Sequence, residues 1–201
     1  MATYGFEFRA TSGYVSTGAN HTYVVGETSS QTRNGITFYW SSGTVGTADR
    51  NASVPPGPEL AGVNYAGPGG ATAIFSVTLP SIGLKNIRFA LGDPWNVAFA
   101  LLKVVIRDNG GSPLLTIGPQ TPSGNTHVID ATGVSLTKDN WAANNLPTQV
   151  MFNTSAFTLE LSGATYGTLA YLEIADVGGA APAVIPFGLK RLQALTRGSL
   201  H

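Results

Sequence analysis

AIFSVTLPSIGLKNIRFAL, residues 73–91, is the stretch that decides the fold class. Apolar side chains occupy every second position from Phe75 to Leu79, and again from Ile87 to Leu91. Small and polar residues fill the positions between them. This period of two is typical of a strand with one buried face. Proline and glycine separate the two runs at residues 80–83, so we predict an antiparallel strand pair.

Working outward, the same kind of short strand recurs along most of the chain. Asp108-Asn109-Gly110-Gly111 lies between two apolar runs and predicts a tight hairpin, because these residues tolerate positive φ. No amphipathic helix that could link parallel strands is visible. We therefore predict an all-β fold, a two-sheet antiparallel β-sandwich that is jelly-roll-like. The further predicted strands are Tyr4–Arg9, Thr22–Val25, Gly35–Trp40, Ala98–Arg107, Pro113–Ile117, Thr126–Ile129, Ala156–Leu161 and Leu169–Ile174.

Three segments depart from this pattern. Ser41–Gly70 is rich in Gly, Ala, Ser and Pro and is predicted to be a long surface excursion. Asp139–Thr148 is predicted to be a second loop or a single helical turn. Residues 179–201 form a C-terminal arm or short amphipathic helix with leucines at spacing three, so the predicted domains are a sandwich over residues 1–178 and this arm.

Composition excludes several classes of protein. Eleven basic and eleven acidic residues give zero net charge, which provides no electrostatic footprint for nucleic acid or an anionic membrane. The hydrophobic content of 43% is too high for a disordered chain, and the lack of cysteine excludes a disulfide framework. The first residues show no secretory signal pattern and no apolar run is long enough to span a membrane, so we expect synthesis in a cytoplasm.

Residues suited to catalysis or metal binding are few. His21, His127 and His201 are scattered, without a partner at metal-ligand spacing, and no nucleophile or phosphate-loop motif occurs. We therefore predict no catalytic residues, no cofactor and no metal site. A calcium ion bound near Glu7 and Asp176 is the alternative considered, but six oxygen ligands are not identifiable.

Aromatic residues are the better binding candidates, because sugars stack their C–H faces on exposed rings. Trp95 lies in a turn, Trp141 in the second predicted loop and Tyr65 in the long excursion. Each is a candidate carbohydrate platform, although a loop tryptophan also commonly pins its loop to the core. Trp40 ends an alternating strand and is predicted to be a core residue.

The segment FSVTLPSIGLKNIRFALGD resembles the core hairpin of malectin-like and related galactose-binding-like carbohydrate-binding modules. VVIRDNGGSPLLTI is similar to the hairpin that follows it in those modules, and FTLELSGATYGTLAYLEIAD to their closing strands. The opening YGFEFRATSGYV is similar to their first strand, so the resemblance spans residues 4–177. It departs from the family at Leu84 and Asn86, near the family's usual tyrosine. The resemblance implies a sandwich fold and a lineage of glycan binding, and transfers no ligand residue.

A second resemblance is carried by RNGITF at residues 33–38 and APAVIPFGLKRL in the arm, which look like small structural proteins of tailed phages. It implies a non-enzymatic virion protein, made in the host cytoplasm, that decorates or cements a capsid as a homo-oligomer. Its partners would be capsid or other virion subunits, and the alternative is a carbohydrate-binding module or adhesin recognising host glycans. The predicted partner-binding residues are Ile185, Phe187, Leu189, Lys190, Arg191, Leu192, Leu195 and Arg197.

Overall fold

A computed structural model of the protein describes residues 2–10, 20–49, 60, 62–93, 95 and 99–177. Within these residues, fifteen strands and one short helix form two facing sheets, so the predicted β-sandwich is confirmed. The strands are β1 (Thr3–Phe8), β2 (His21–Val24), β3 (Gln31–Arg33), β4 (Ile36–Ser42), β5 (Val45–Asp49), β6 (Gly62–Ala66), β7 (Ala73–Thr78), β8 (Gly83–Leu91), β9 (Leu102–Asp108), β10 (Pro113–Gln120), β11 (His127–Ile129), β12 (Ser135–Thr137), β13 (Thr148–Phe152), β14 (Ala156–Ser162) and β15 (Thr168–Asp176).

The two sheets have different sizes and are built from non-consecutive strands. The nine-stranded sheet has the order β12-β11-β8-β15-β1-β2, with β13 beside β8, β6 beside β15, and β5 beside β6. The six-stranded sheet has the order β10-β9-β14-β7-β4-β3. The pairing of β1 with β2 is parallel, and the other described pairs are antiparallel.

The main core lies between the sheets and contains the inward-facing apolar side chains of both. Phe75 of β7 is at its centre, where its ring meets Phe6 and Phe8 of the opposite sheet at centroid distances of 5.5 and 5.3 Å. Trp40 of β4 packs on the same ring at 5.1 Å and is buried, so its prediction as a core residue is confirmed. The alternating residues therefore face the core as the period of two requires.

The prediction that the two strands within residues 73–91, now β7 and β8, pair with each other is wrong. Strand β7 pairs with β4 and β14, whereas β8 pairs with β15, β13 and β11 of the other sheet. The chain crosses the sandwich at residues 79–82, and the buried Leu79 donates its backbone N–H to Ser155 O at 2.9 Å there. The apolar side chains of both strands are buried in the same core, which β7 and β8 line from opposite sheets.

The Asp108–Gly111 turn forms the predicted hairpin between β9 and β10. The Asp108 carboxylate accepts the Ser112 backbone N–H at 2.8 Å, and Gly111 adopts a φ of +82° that favours glycine. The sequence preference for residues that tolerate this geometry therefore fixes the turn.

Much of what the structure describes of the predicted excursion over Ser41–Gly70 is regular strand. It contains β5 and β6, which pair with each other and attach to β15. The predicted helical turn is confirmed as α1 (Lys138–Asn144), whose first turn is capped by the Thr137 hydroxyl accepting from the Asn140 N–H. The sandwich is described as far as Val177, and the predicted arm over residues 179–201 lies outside the described residues.

Candidate functional site

A cleft lies on the outer face of the six-stranded sheet, away from the core. Strand alternation places Tyr39 of β4, Ser76 of β7, Thr158 of β14 and Arg107 of β9 on this face, opposite their buried neighbours. The register makes them one row, because Tyr39 pairs with Ser76, Ser76 with Thr158, and Thr158 with Arg107. Adjacent strands are about 4.8 Å apart, so the row crosses about 14 Å of the sheet.

The cleft has a volume of about 320 Å³, at the lower end of the usual range for ligand pockets. Its floor is formed by the outer side chains of three central strands, and the β9–β10 turn forms a wall at one end. The lining residues are Tyr39, Ser76, Val77, Thr78, Asp108, Asn109, Gly111, Ala156, Phe157 and Thr158.

Polar groups in and beside the cleft are held in place by the protein itself. The Ser76 hydroxyl donates to Ser41 Oγ at 2.7 Å, and the Ser41 hydroxyl lies 3.3 Å from the carbonyl of Ile74. At the other end of the row, Arg107 Nε donates to Glu160 Oε2 at 3.1 Å and Nη1 donates to Gly111 O at 3.2 Å. The Arg107–Glu160 pair is nearly neutral as a unit, so the cleft carries no strong net charge from it.

This arrangement suits a neutral, hydroxyl-rich ligand. The Tyr39 ring supplies an aromatic surface, while Ser, Thr and Asn side chains both donate and accept hydrogen bonds. In the part of the chain that the structure describes, no three His, Asp or Glu residues are grouped so that they could hold a metal ion. What the lining residues offer a ligand is stacking and hydrogen bonds.

The three predicted carbohydrate platforms lie around a second apolar cluster. Its members alternate with core residues along the same strands, so the cluster covers the outer face of the nine-stranded sheet. Tyr65 and Trp141 belong to this cluster or pack on it, and Trp95 is bonded to one of its members. The structure thus brings the three together, but each is packed against protein. The cluster consists of Leu60, Val63, Ala90, Val128, Trp141, Ala170 and Tyr171.

Trp141 is only 3% exposed, which leaves almost no ring surface for a sugar, and its role as a platform stays a prediction. It lies in α1, meets the Tyr171 ring edge-on at 5.3 Å, and has its Nε1 3.4 Å from Phe89 O. Burying the ring fastens α1 to the sheet, which is the alternative role of a loop tryptophan.

Trp95 and Tyr65 are half-buried. Trp95 Nε1 donates to Leu60 O at 2.8 Å, and the Lys138 ammonium lies 4.5 Å from the centre of its ring. Tyr65 meets Tyr166 edge-on at 5.4 Å and lies directly over Gly46, where a Cβ would come within 2.3 Å of the ring. Both rings therefore retain limited surface for a ligand.

The acids considered for calcium do not converge. Glu7 is opposite Tyr171 on β15, whereas Asp176 is at the far end of the same strand. Glu7 instead forms an ion pair with Arg9 and faces His21 Nδ1 at 3.6 Å. Asp176 accepts from Lys85 and from the backbone N–H of Ala2, and the Lys85 ammonium lowers the pKa of its carboxyl.

The predicted partner-binding side chains, from Ile185 to Arg197, lie outside the described residues, so their role stays a prediction. Helices long and apolar enough to cross a bilayer are not found in the described ranges. Tyr39 was not singled out from the sequence, although it occupies the polar phase of the predicted strand Gly35–Trp40.

The sequence matches no protein-family model and no curated protein. Among solved structures, the chain is similar to a plant receptor-like kinase, FER, with a TM-score of 0.50 and 11% identity over 88% of this chain. The chain spans 42% of that chain's length. At this identity the likeness shows the fold alone.

Two carbohydrate-binding modules are also similar. The CBM36-1 domain of a multidomain xylanase from the hindgut metagenome of Trinervitermes trinervoides has a TM-score of 0.36 and 17% identity, covering 72% of this chain and 99% of that one. The module CBM6cm-2 from Cellvibrio mixtus lichenase 5A, in complex with cellotriose, has a TM-score of 0.38 and 15% identity, covering 69% and 92%. The two-sheet sandwich that the resemblance implies is observed in the structure itself, and its phage form stays a prediction.

Proposed function

We propose that this protein binds glycans without catalysing a reaction, and that its binding site is the cleft on the six-stranded sheet. The observation that carries the proposal is the row Tyr39–Ser76–Thr158, which places one aromatic ring and two hydroxyls side by side on adjacent strands. A sugar chain laid across the row would stack on Tyr39 and exchange hydrogen bonds with the hydroxyls.

Rigidity supports this assignment. The three residues lie in paired strands at the middle of the sheet, and their neighbours Phe38, Val77 and Leu159 are buried in the core. A site on such strands is already formed before the ligand arrives, so little conformational entropy is lost on binding. The β9–β10 turn closes one end of the cleft with Asp108 and Asn109, which adds oxygen and amide groups within reach of a second sugar unit.

The test is a glycan array probed with the full chain, followed by calorimetry with the best glycan. Tyr39→Ala should weaken binding about tenfold through loss of stacking. Thr158→Val, which keeps the shape and removes the hydroxyl, should weaken it about threefold to tenfold. The matched control is Thr32→Val, which changes a hydroxyl on β3 of the same sheet outside the cleft.

Two results contradict the proposal. One is that the full chain retains no glycan on the array. The other is that binding is unchanged by Tyr39→Ala but lost in Tyr65→Ala or Trp95→Ala, which would place the site at the second apolar cluster instead.

We propose secondly that the protein acts in an assembly, as a non-enzymatic part of a tailed-phage virion made in the host cytoplasm. The observation that favours this role is the separation of charge along the chain. Lys190, Arg191 and Arg197 give residues 179–201 a net charge of +3, while the remainder carries −3. The basic side chains of the arm would attract an acidic surface of the assembled shell. Co-sedimentation of the full chain with assembled shells, and its loss on Lys190→Gln, Arg191→Gln and Arg197→Gln together, tests this.

A further inference from the structure

An apolar groove lies at the end of the sandwich where β8 begins and both β13 and β15 finish. Its volume is about 650 Å³. Met151 of β13 lies opposite Leu84 of β8, and Asp176 of β15 lies opposite Lys85. The groove is therefore made by three adjoining strands and the crossover that precedes β8. It is lined by Ser81, Ile82, Leu84, Lys85, Met151, Asp176 and Val177.

The groove exposes large apolar side chains to water. Ile82 is 59% exposed, Met151 50% and Leu84 38%. Single exposed apolar residues are ordinary, but three that line one groove mark a contact surface. The polar residues of the groove satisfy one another, since the Lys85 ammonium donates to Ser81 Oγ at 2.9 Å and to the Asp176 carboxylate. The exposed apolar side chains are therefore the part of the groove that an occupant would cover.

We infer that the occupant is the chain's own C-terminal segment, residues 185–195. Val177, the last described residue, lines the groove, and its backbone N–H lies 3.3 Å from Leu84 O. The segment that follows it in sequence is therefore covalently attached to a residue of the groove. The following sequence carries Ile185 and Phe187 and then leucines at 189, 192 and 195, whose spacing of three suits one apolar face. This inference does not depend on the proposed glycan function.

The length of the connection favours docking within one molecule. Residues 178–184, GGAAPAV, separate Val177 from Ile185 and extend to about 25 Å at most. A short connection between two parts of one chain gives an effective concentration in the millimolar range. A second copy of the chain at micromolar concentration competes poorly with that, so the segment fills the groove of its own molecule.

Absence of cysteine from the chain allows a direct test by thiol labelling of the full-length protein. Met151→Cys places a thiol in the groove at an exposed position. Its reaction with a maleimide should be about tenfold slower than that of Ala164→Cys, an exposed site at the far end of β14. Adding Leu189→Ser, Leu192→Ser and Leu195→Ser should raise the rate at position 151 to that of the control. Lys190→Gln with Arg191→Gln, matched changes within the same segment, should leave the protection in place.

Equal labelling of Met151→Cys with and without the three serines overturns the inference. Occupancy by a second copy is a different outcome and overturns it as well. It would appear as protection that rises with protein concentration, and as dimers when Met151→Cys and Leu192→Cys are joined by a short bis-maleimide. The inferred arrangement gives a monomeric cross-linked product at every concentration.

Discussion

Asn64 forms a side-chain hydrogen bond between the two sheets inside the core, and replacing it tests how much that bond stabilises the sandwich. It lies in β6 of the nine-stranded sheet and is fully buried. Its Oδ1 accepts the indole N–H of Trp40, in the six-stranded sheet, at 3.0 Å. Its Nδ2 donates to Arg9 O at 2.9 Å and to Val24 O at 3.3 Å. One side chain therefore connects β6 with β4, with β2 and with the residue that follows β1.

Asn64→Ala should lower the free energy of unfolding by about 3 kcal/mol. Leaving the buried Trp40 N–H without its acceptor costs about 1–3 kcal/mol, and the lost amide donors and the small cavity contribute the remainder. Urea denaturation followed by tryptophan fluorescence measures the change. Asn144→Ala, in the exposed last turn of α1, is the matched control and should change stability by less than about 0.5 kcal/mol.

A double-mutant cycle isolates the bond itself. In a Trp40→Phe background there is no indole N–H to leave unpaired, so Asn64→Ala should cost about 1–2 kcal/mol less than in the wild type. A coupling energy near zero, or a loss below about 1 kcal/mol in the single variant, would refute the reasoning that this bond ties the sheets together.

Three further predictions concern the outer face and the end of the nine-stranded sheet. Trp141→Ala should lower the free energy of unfolding by about 3–5 kcal/mol in urea titrations, because it empties a buried site, whereas Asn140→Ala on α1 should cost about 1 kcal/mol or less. Gly46→Ala should shift the Tyr65 ring and lower the melting temperature, because its Cβ would lie 2.3 Å from that ring, while Gly110→Ala in the β9–β10 turn should not. Lys85 lowers the pKa of Asp176, so this pair stabilises the fold above the ordinary carboxyl pKa of 3.8 and loses that stabilisation as the pH falls below it. Asp176→Asn should therefore flatten the acid limb of a stability-against-pH curve, and Asp139→Asn, an exposed carboxylate, should leave it unchanged.

The positions of strands could largely be predicted, since each of the ten predicted runs overlaps a strand of the structure. Period-two alternation reports which face of a strand is buried, and burial is a local property of the sequence. The alternation does not indicate which strand lies beside it in the sheet. β7 and β8 have the same pattern, and only packing decides that they belong to opposite sheets.

Strands β5 and β6 were missed because the sequence there offers little contrast between faces. The residues of β5, Val-Gly-Thr-Ala-Asp, are all half-buried, so no alternation develops along it. Small residues are nonetheless required at this place. Gly62 lies against the backbone of Phe8 and Arg9, where a Cβ would come within 2.7 Å of Phe8 O. The glycine and alanine content that suggested a loop instead reflects close packing of strands.

The candidate cleft could not be found from the sequence, because its row of residues exists only through register. Tyr39, Ser76, Arg107 and Thr158 are far apart along the chain and meet through the order β4-β7-β14-β9. Each alone is an outward residue of a strand. Aromatic residues in loops were predicted to bind because such residues often bind sugars. In this protein, however, the nine-stranded sheet has an apolar outer face that must be covered. Trp95 and Trp141 cover it. The indole N–H of Trp95 donates to the backbone oxygen of Leu60, and that of Trp141 is directed at the backbone oxygen of Phe89. A tryptophan with its N–H directed into the protein is held by the fold itself. Tyr39 is also half-buried, but it lines a cleft, and that difference is the reason for proposing it as the stacking residue.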